Sequence, residues 1–515
     1  MKQPAMNLIR FFSLTPAVVT FAVWSSAPAA AQTVEKVADL NFFSFEGVGF
    51  GGYAPLARMT RVGTNLWFTT DSGGTFDAGT ISRFDLVTRE VVEVASFDNN
   101  TGKGSESALL VIGDEGFFTT KSGGSGDAGT LAKINLTNGS LAVLFNFPVN
   151  NAASRAAGTQ IGATPRASLT RIGDELWTTT SLGGSSNRGT IVRYNLTNGV
   201  ASLVAHLDGP ELGGQAFGGF TPVGSNAWYY TTFSGGNTFQ STTGSYALTL
   251  PDGSVIQITN SLNLGAGAMG RLTFDEAGQP QISRVADLTN GYPQFPGTEP
   301  TLVGTNSLYF GTTGPNNAPG AIIRYDLDTG TWTNLFSFST NGANALAYGT
   351  RPGYSAFVEW LGELYFLTRQ GGTSNLGTVA KFNIASNTVI KLADLEGTNN
   401  LALGRATGIF DNTGEVVEDG GRFHLYYTVT SGGVNNRGTI LRVALPPPPI
   451  ATSLQATNAG ALTLSWTGGY TPFTVQACGD VVAGGWTNVV EGLTNRTITV
   501  PASSGAGFYR VRGAE

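Results

Sequence analysis

From residue 34 to residue 445 short runs of alternating apolar and polar residues are separated by glycine-rich turns. A period of two predicts half-buried β-strands, and no segment here keeps a helical period. The runs repeat. One unit reads Leu66-Trp67-Phe68-Thr69-Thr70-Asp71-Ser72-Gly73-Gly74, then Gly79-Thr80-Ile81-Ser82-Arg83-Phe84-Asp85-Leu86. Another reads Leu176-Trp177-Thr178-Thr179-Thr180-Ser181-Leu182-Gly183-Gly184, then Gly189-Thr190-Ile191-Val192-Arg193-Tyr194-Asn195-Leu196. Paired glycines recur at Gly123, Gly235, Gly371 and Gly432, and a degenerate copy reads Thr312-Thr313-Gly314-Pro315. Copies lie roughly 50 to 80 residues apart, the spacing of propeller blades.

Each copy parses into four antiparallel strands, A to D. Strand A ends at Arg61-Val62 or its equivalents, and strand B is the Leu66 run. A Gly-Gly to Gly-Thr hairpin leads to strand C, and a short turn leads to strand D, as at Leu203 to Leu207. The seventh copy has no strand D of its own, because its strand C runs into Pro446. The missing strand lies at the other end of the chain. Val37-Ala38-Asp39-Leu40 repeats Val285-Ala286-Asp287-Leu288 letter for letter. The pattern therefore predicts an all-β fold, a seven-bladed β-propeller closed by an N-terminal strand, which removes the open edges of the array. A column of small residues six positions before each turn glycine (Ala57, Ser107, Ala167, Gly218, Thr298, Ala356) suits strands converging on a central channel.

The expected layout is an export signal over residues 1–31, the propeller over 32–445, a proline linker at 446–450 and a small β-sandwich-like module over 451–515. Lys2 and Arg10, an apolar run from Phe11 to Trp24 and Ala29-Ala30-Ala31 form the signal pattern, with an uncleaved anchor as the alternative. In the module Leu462, Leu464 and Trp466 alternate, as do Phe473, Val475 and Ala477. The units resemble the bacterial GloVer tandem repeats, with Thr-Thr, Gly-Gly and Gly-Thr-Ile/Val-x-Arg/Lys. They also resemble kelch blades, through the double glycine and Arg324 to Trp332. That resemblance covers residues 34–445 and implies architecture without a reaction.

Charge and composition narrow the chemistry. Only 12% of residues are charged, the net charge is -6 and no basic patch offsets it, so neither nucleic acid nor an anionic membrane is an expected partner. No later stretch is apolar enough to span a bilayer. Cys478 is the only cysteine, and His206 and His424 are the only histidines. These numbers disfavour imidazole-rich metal sites and a Ser-His-Asp triad, and no cofactor or metal is expected. Gly123 to Asp127 is one residue short of a calcium-binding nonapeptide. A carboxylate pair stays open, with Glu106, Glu211 and Glu299 at loop ends.

The A–B and C–D turns are short and uniform. The D–A connections (residues 98–105, 148–165, 289–296, 339–354 and 396–403) are long, and the fourth copy carries an insertion at 237–264 that contains a hairpin. In a propeller the D–A and B–C connections share one face, and long loops on a rigid scaffold carry recognition. Candidate ligand-binding residues there are Phe50, Tyr53, Arg155, Arg166, Phe217, Tyr292, Phe295, Arg351 and Tyr354. The other role open to each aromatic is packing its own loop. The strand C cations (Arg83, Lys133, Arg193, Arg271, Arg324, Lys381, Arg442) are expected in blade-to-blade ion pairs or carbonyl contacts, and Asp77, Asp127, Asn187, Asn375 and Asn436 in left-handed hairpin positions. The expected protein is secreted, periplasmic or on the cell surface, monomeric, and binds an extracellular polysaccharide or protein without turnover. The alternative is a glycan hydrolase or lyase using carboxylates on the same face.

Overall fold

A computed structural model describes residues 19–22, 32–41, 43–45, 48–209, 211–236, 242–249, 255–262, 266–288, 295–313, 319–396, 403–405, 414–456, 461–479, 485–501 and 508–514. The repeats fold into four-stranded antiparallel sheets in the order A-B-C-D. The first holds Thr60–Val62, Asn65–Thr69, Thr80–Asp85 and Val91–Ser96. The third holds Thr170–Ile172, Glu175–Thr180, Thr190–Asn195 and Ala201–His206. Among the described residues seven sheets of this kind follow in sequence. The seventh takes Glu415–Asp419, Arg422–Val429 and Thr439–Ala444 from the end of the repeats, and Val34–Asp39 as its fourth strand. The arrangement is all-β and compatible with a β-propeller.

The repeat motif is explained by hydrogen bonds. The threonine closing strand B, second of the Thr-Thr pair in three sheets and preceded by Leu367 in the sixth, meets the threonine of Gly-Thr on strand C: Thr70 with Thr80 at 3.0 Å, Thr120 with Thr130 at 2.9 Å, Thr180 with Thr190 at 2.9 Å and Thr368 with Thr378 at 2.8 Å. The first threonine donates instead to the carbonyl of the small column residue in the following sheet. Thr69 reaches Ser107 at 3.0 Å, Thr179 reaches Gly218 at 3.2 Å and Thr231 reaches Thr298 at 2.6 Å. Thr428 of the seventh sheet donates to Ala57 of the first at 3.4 Å. The column continues at Gly414, six residues before Gly420 and buried.

Apolar faces pack between successive sheets. Trp177 and Ile191 of the third lie with Tyr230 and Leu272 of the fourth. Trp67 and Ile81 of the first lie with Phe118 and Ile134 of the second. Each such side chain contributes about 1.5–3 kcal/mol on burial. A bulge recurs where strands C and D pair, as at Leu131/Ala132, Ile191/Val192, Ile322/Ile323 and Val379/Ala380, and it deepens the twist of each sheet. The expected insertion hairpin is present as Thr242–Thr249 paired with Val255–Leu262.

Two expectations need correction. The long D–A connections contain short helices, Ala152–Ala156 and Gly342–Tyr348. The first is capped by Asn151, whose side chain accepts from the Ser154 N–H, so a local cap supplies what a helical period did not announce. Four of the strand C cations, Lys133, Arg193, Lys381 and Arg442, pair inside their own sheets rather than between blades. Lys133 meets Glu115 at 2.5 Å, Lys381 meets Glu363 at 2.7 Å and Arg193 meets Glu175 at 3.3 Å. Strands B and C are direct neighbours, so these partners are nearer than any on the next sheet. Arg442 pairs likewise with Glu35.

The chain divides into two compact units, one of Val34–Glu415 with Tyr426–Arg442, the other of Met1–Thr33, Val416–Leu425 and Val443–Glu515. In the second unit Ala451–Ala456, Ala461–Thr467 and Thr497–Pro501 form one sheet, and Thr487–Leu493, Tyr470–Cys478 and Phe508–Ala514 another. The alternating residues Leu464, Trp466, Phe473 and Val475 are buried together. Val19–Ala22, within the stretch expected to be an export signal, pairs along Ala451–Ala456. The rest of that stretch lies outside the described residues.

Candidate functional site

The two ends of the sheets differ in how they spend their polar groups. At the C–D turns the aspartate or asparagine ending strand C accepts the following amides. Asp85 takes Val87 N–H at 2.7 Å and Thr88 N–H at 2.9 Å, and Asn135, Asn195 and Asp326 repeat the pattern. Those bonds, chiefly from Thr88, hold the Asp85 carboxyl below its usual range. This end is self-satisfied.

The other end is built on a stitched backbone. Ala54, Gly104, Thr164, Gln215, Phe295 and Arg351 all have positive φ. Each donates its N–H to the B–C hairpin of the preceding sheet: Gly104 to Ala78 at 2.8 Å, Thr164 to Ala128 at 2.8 Å, Gln215 to Arg188 at 2.6 Å, Phe295 to Ala266 at 3.1 Å and Arg351 to Pro319 at 2.6 Å. Ala54 donates to Arg437 of the seventh sheet at 3.2 Å. The hairpins are closed as the sequence predicts. Asp77, Asp127, Asn187, Asn375 and Asn436 are left-handed, and their Oδ1 atoms accept from the first glycine of the pair at 2.9–3.0 Å.

His206 belongs to this frame. Its Nδ1 accepts the Ser185 N–H at 3.2 Å, a task done by Ser96, Asn146, Asp394 and Asp39 in other sheets. His424 is buried in Arg422–Val429.

The candidate residues fall into separate groups on this scaffold. Tyr53 donates to Asp77 at 3.0 Å, and the Arg437 guanidinium lies 4.2 Å from its ring. Burial first, and then Asp77, push its phenol above the usual range. Arg155 sits on the short helix and donates to Asn150 at 2.9 Å. Phe217 and Phe295 meet through Phe233, with ring centroids 5.4 and 5.0 Å apart. Arg351 lies in the connection before the sixth sheet, and the neighbouring Arg369 stacks on the Tyr354 ring at 4.9 Å. Phe50 lies on the strand Val48–Phe50, and Tyr292 lies outside the described residues.

Arg166 is committed elsewhere. Its Nη1 donates to both oxygens of Glu106 at 2.8 Å, Lys121 reaches the same carboxylate at 3.3 Å, and Lys121 also pairs with Asp71. Glu106 is 1% exposed, and its carboxylate is taken up by Arg166 and Lys121. Glu299 accepts the Gly219 N–H at 3.2 Å, and Glu211 lies in the connection between the third and fourth sheets. The three carboxylates thus sit in three different connections. Among the described residues no group of three or more His, Cys, Asp or Glu is placed to hold a metal ion. None of their helices is long and apolar enough to cross a membrane.

The position that sequence reasoning missed lies two residues before the first glycine of the hairpin or its equivalent: Asp71, Lys121, Ser181, Phe233, Thr313, Arg369 and Thr430. It was legible in principle. It varies in charge and size between two motifs that hardly vary, so the frame does not dictate it.

No protein-family model matches the sequence, and no curated protein does. The GloVer and kelch resemblances therefore rest on the motifs alone. Among solved structures the chain is similar to an oligogalacturonate lyase from Vibrio parahaemolyticus, with 10% identity over 81% of this chain and 99% of that one and a TM-score of 0.45. It is also similar to a putative 6-phosphogluconolactonase from Bacteroides uniformis (13% identity, 84% and 94% covered, TM-score 0.39). A third is TolB from Acinetobacter baumannii (10% identity, 75% and 78% covered, TM-score 0.30). At these TM-scores neither activity nor partner carries over.

Proposed function

We propose that residues 32–445 form a seven-bladed propeller, closed by Val34–Asp39, that binds an extracellular polysaccharide or protein through the end bearing the long connections, without turnover. The bonds from Thr428 to Ala57, from Ala54 to Arg437 and from Leu40 N–H to Gly438 at 2.9 Å support closure of the seventh sheet onto the first. The proposed layout places an export signal at residues 1–31 and a β module at 451–515, so that the chain works as a monomer outside the cytoplasm.

The observation that carries the binding reading is the contrast between the ends. One satisfies its polar groups in uniform short turns, while the other carries long connections with aromatic and cationic side chains. Glu106 does not serve as an acid or base in this reading, because two cations hold it in the interior. A glycan array followed by turnover assays on each bound glycan tests the proposal. Binding with no new reducing ends or unsaturated products is the expected result. Product formation abolished by E299Q would overturn the non-enzymatic reading.

A further inference from the structure

The backbone stitch shows what its residue requires of a side chain, which is nothing. Alanine, glycine, threonine, glutamine and phenylalanine all serve at Ala54, Gly104, Thr164, Gln215 and Phe295. The sixth sheet uses Arg351, with φ 61° and ψ 63°, immediately before Pro352. That backbone is unfavourable for a bulky residue, and it is unfavourable again before proline. Arg351 is only 7% exposed, yet among the described residues its side chain forms no hydrogen bond or ion pair with a protein group.

Its charged neighbour makes matters worse. Arg369 follows strand B of the same sheet, and its backbone N–H reaches the Arg351 carbonyl at 3.4 Å. Among the described residues Arg369 has no anionic partner either, and it is held over the Tyr354 ring. Burial, above all, lowers the pKa of Arg351; the Tyr354 phenol opposes that shift, and the Arg369 charge adds to it. Among the described residues no carboxylate stands by these two guanidinium groups, so the buried Arg351 charge has no anion there to compensate it. A guanidinium presents a planar fork of donors that matches carboxylate, sulfate and phosphate oxygens.

We infer that Arg351 and Arg369 together bind an oxyanion, either an acid group on a polysaccharide or the same group free in solution. The inference rests on reading this end of the sheets as the binding face, and it adds that the ligand is acidic. Tyr354 acts as a positioning residue, its ring keeping the Arg369 guanidinium in place.

The test uses the full chain and four probes: alginate, dextran sulfate, neutral dextran, and sodium sulfate against sodium chloride at equal ionic strength. Binding is read by calorimetric titration and protection by the shift in Tm. R351Q and R369Q are compared with wild type and with R171Q, whose side chain is 44% exposed at an A–B turn. Alginate or dextran sulfate should bind wild type and R171Q, and at least tenfold more weakly either other variant. Sulfate should raise the Tm of wild type and of R171Q by more than that of R351Q, the smaller rise being the general salt effect, and R351Q itself should melt no lower than wild type. If R351Q does not fold, R369Q gives the same reading from a half-buried position. Sulfate protection lost in the variants, with no polymer bound by any of the proteins, supports the oxyanion site with a free anion as its source and fails the polysaccharide reading. Binding or protection equal in wild type and both variants overturns the site. Neutral dextran bound equally by all four proteins, with no sulfate effect, also overturns it while leaving the binding face in place.

Discussion

The connections before the second and third sheets, and the one before the sixth, put charge at the same end of the repeat and treat it in opposite ways. In the former, Asp71, Lys121, Glu106 and Arg166 alternate in sign, and every cation has a carboxylate. In the latter, Arg351 and Arg369 are joined through their backbones and have none among the described residues. The flanking frame is the same: the threonine before the position (Thr70, Thr120, Thr368) meets the Gly-Thr threonine, and a positive-φ residue stitches the backbone. Charge placed for the fold is compensated within the chain, whereas uncompensated charge at an equivalent position is a cost the fold does not need. That contrast separates scaffold from site more sharply than burial does, since both groups are largely buried.

The comparison can be broken most decisively at Glu106. Glu106→Ala strips Arg166 and Lys121 of their shared partner, and we expect a loss of about 3 kcal/mol in urea unfolding. An effect below about 1 kcal/mol would mean that the network is not structural. Next is Gly218 in the small column. A Cβ there would lie 2.0 Å from the Glu299 nitrogen of the next sheet, and backbone cannot step aside as a side chain does. Gly218→Ala should cost about 2 kcal/mol in the same assay. Asn187→Ala loses the bond to Gly183 and forces a Cβ-bearing residue with no compensating side chain into φ 53°, for about 1 kcal/mol. Asn187→Gly should cost less, because only the bond is lost.

The smallest effect concerns pH. Desolvation raises the pKa of Glu415, one position beyond Gly414 in the column, despite Arg58 and Arg61 nearby. A raised carboxyl favours the protonated folded form. Its stabilising contribution is therefore complete below the unfolded pKa, near about 4.3, and is lost as pH rises through the higher folded value. Glu415→Gln should melt higher than wild type at pH 7 and at the same temperature at pH 3. An equal difference at both pH values would show that the burial of Glu415 is not what separates the two proteins.

Much of the frame was legible because the repeat states it many times. Alternation placed the strands, and the copy of Val285 to Leu288 at Val37 to Leu40 identified the fourth strand of the seventh sheet. The hairpin Asp/Asn column announced its own backbone. The helix Ala152–Ala156 was not legible, because a single capping residue in a long connection makes no periodic signal. Nor was the pairing of Arg166 with Glu106, residues 60 positions apart that share no motif. Arg351 was picked out for being cationic on a long connection. What marks it out is the lack of a carboxylate beside it among the described residues, which only three-dimensional neighbours reveal, and Arg369 was passed over because it looked like one more variable residue before the paired glycines.

All of these comparisons treat equivalent register positions as one face, and that holds only where the first and seventh sheets adjoin. Native-state hydrogen exchange read by mass spectrometry on peptides spanning residues 34–40 tests this most directly. The Leu40 amide bonds to Gly438 as Phe97 bonds to Gly79 and Leu207 to Gly189, each at 2.9 Å. The account predicts protection of residues 34–40 for as long as that of residues 91–97 and 201–207. Exchange of residues 34–40 within seconds, with the other two segments still protected, would contradict it.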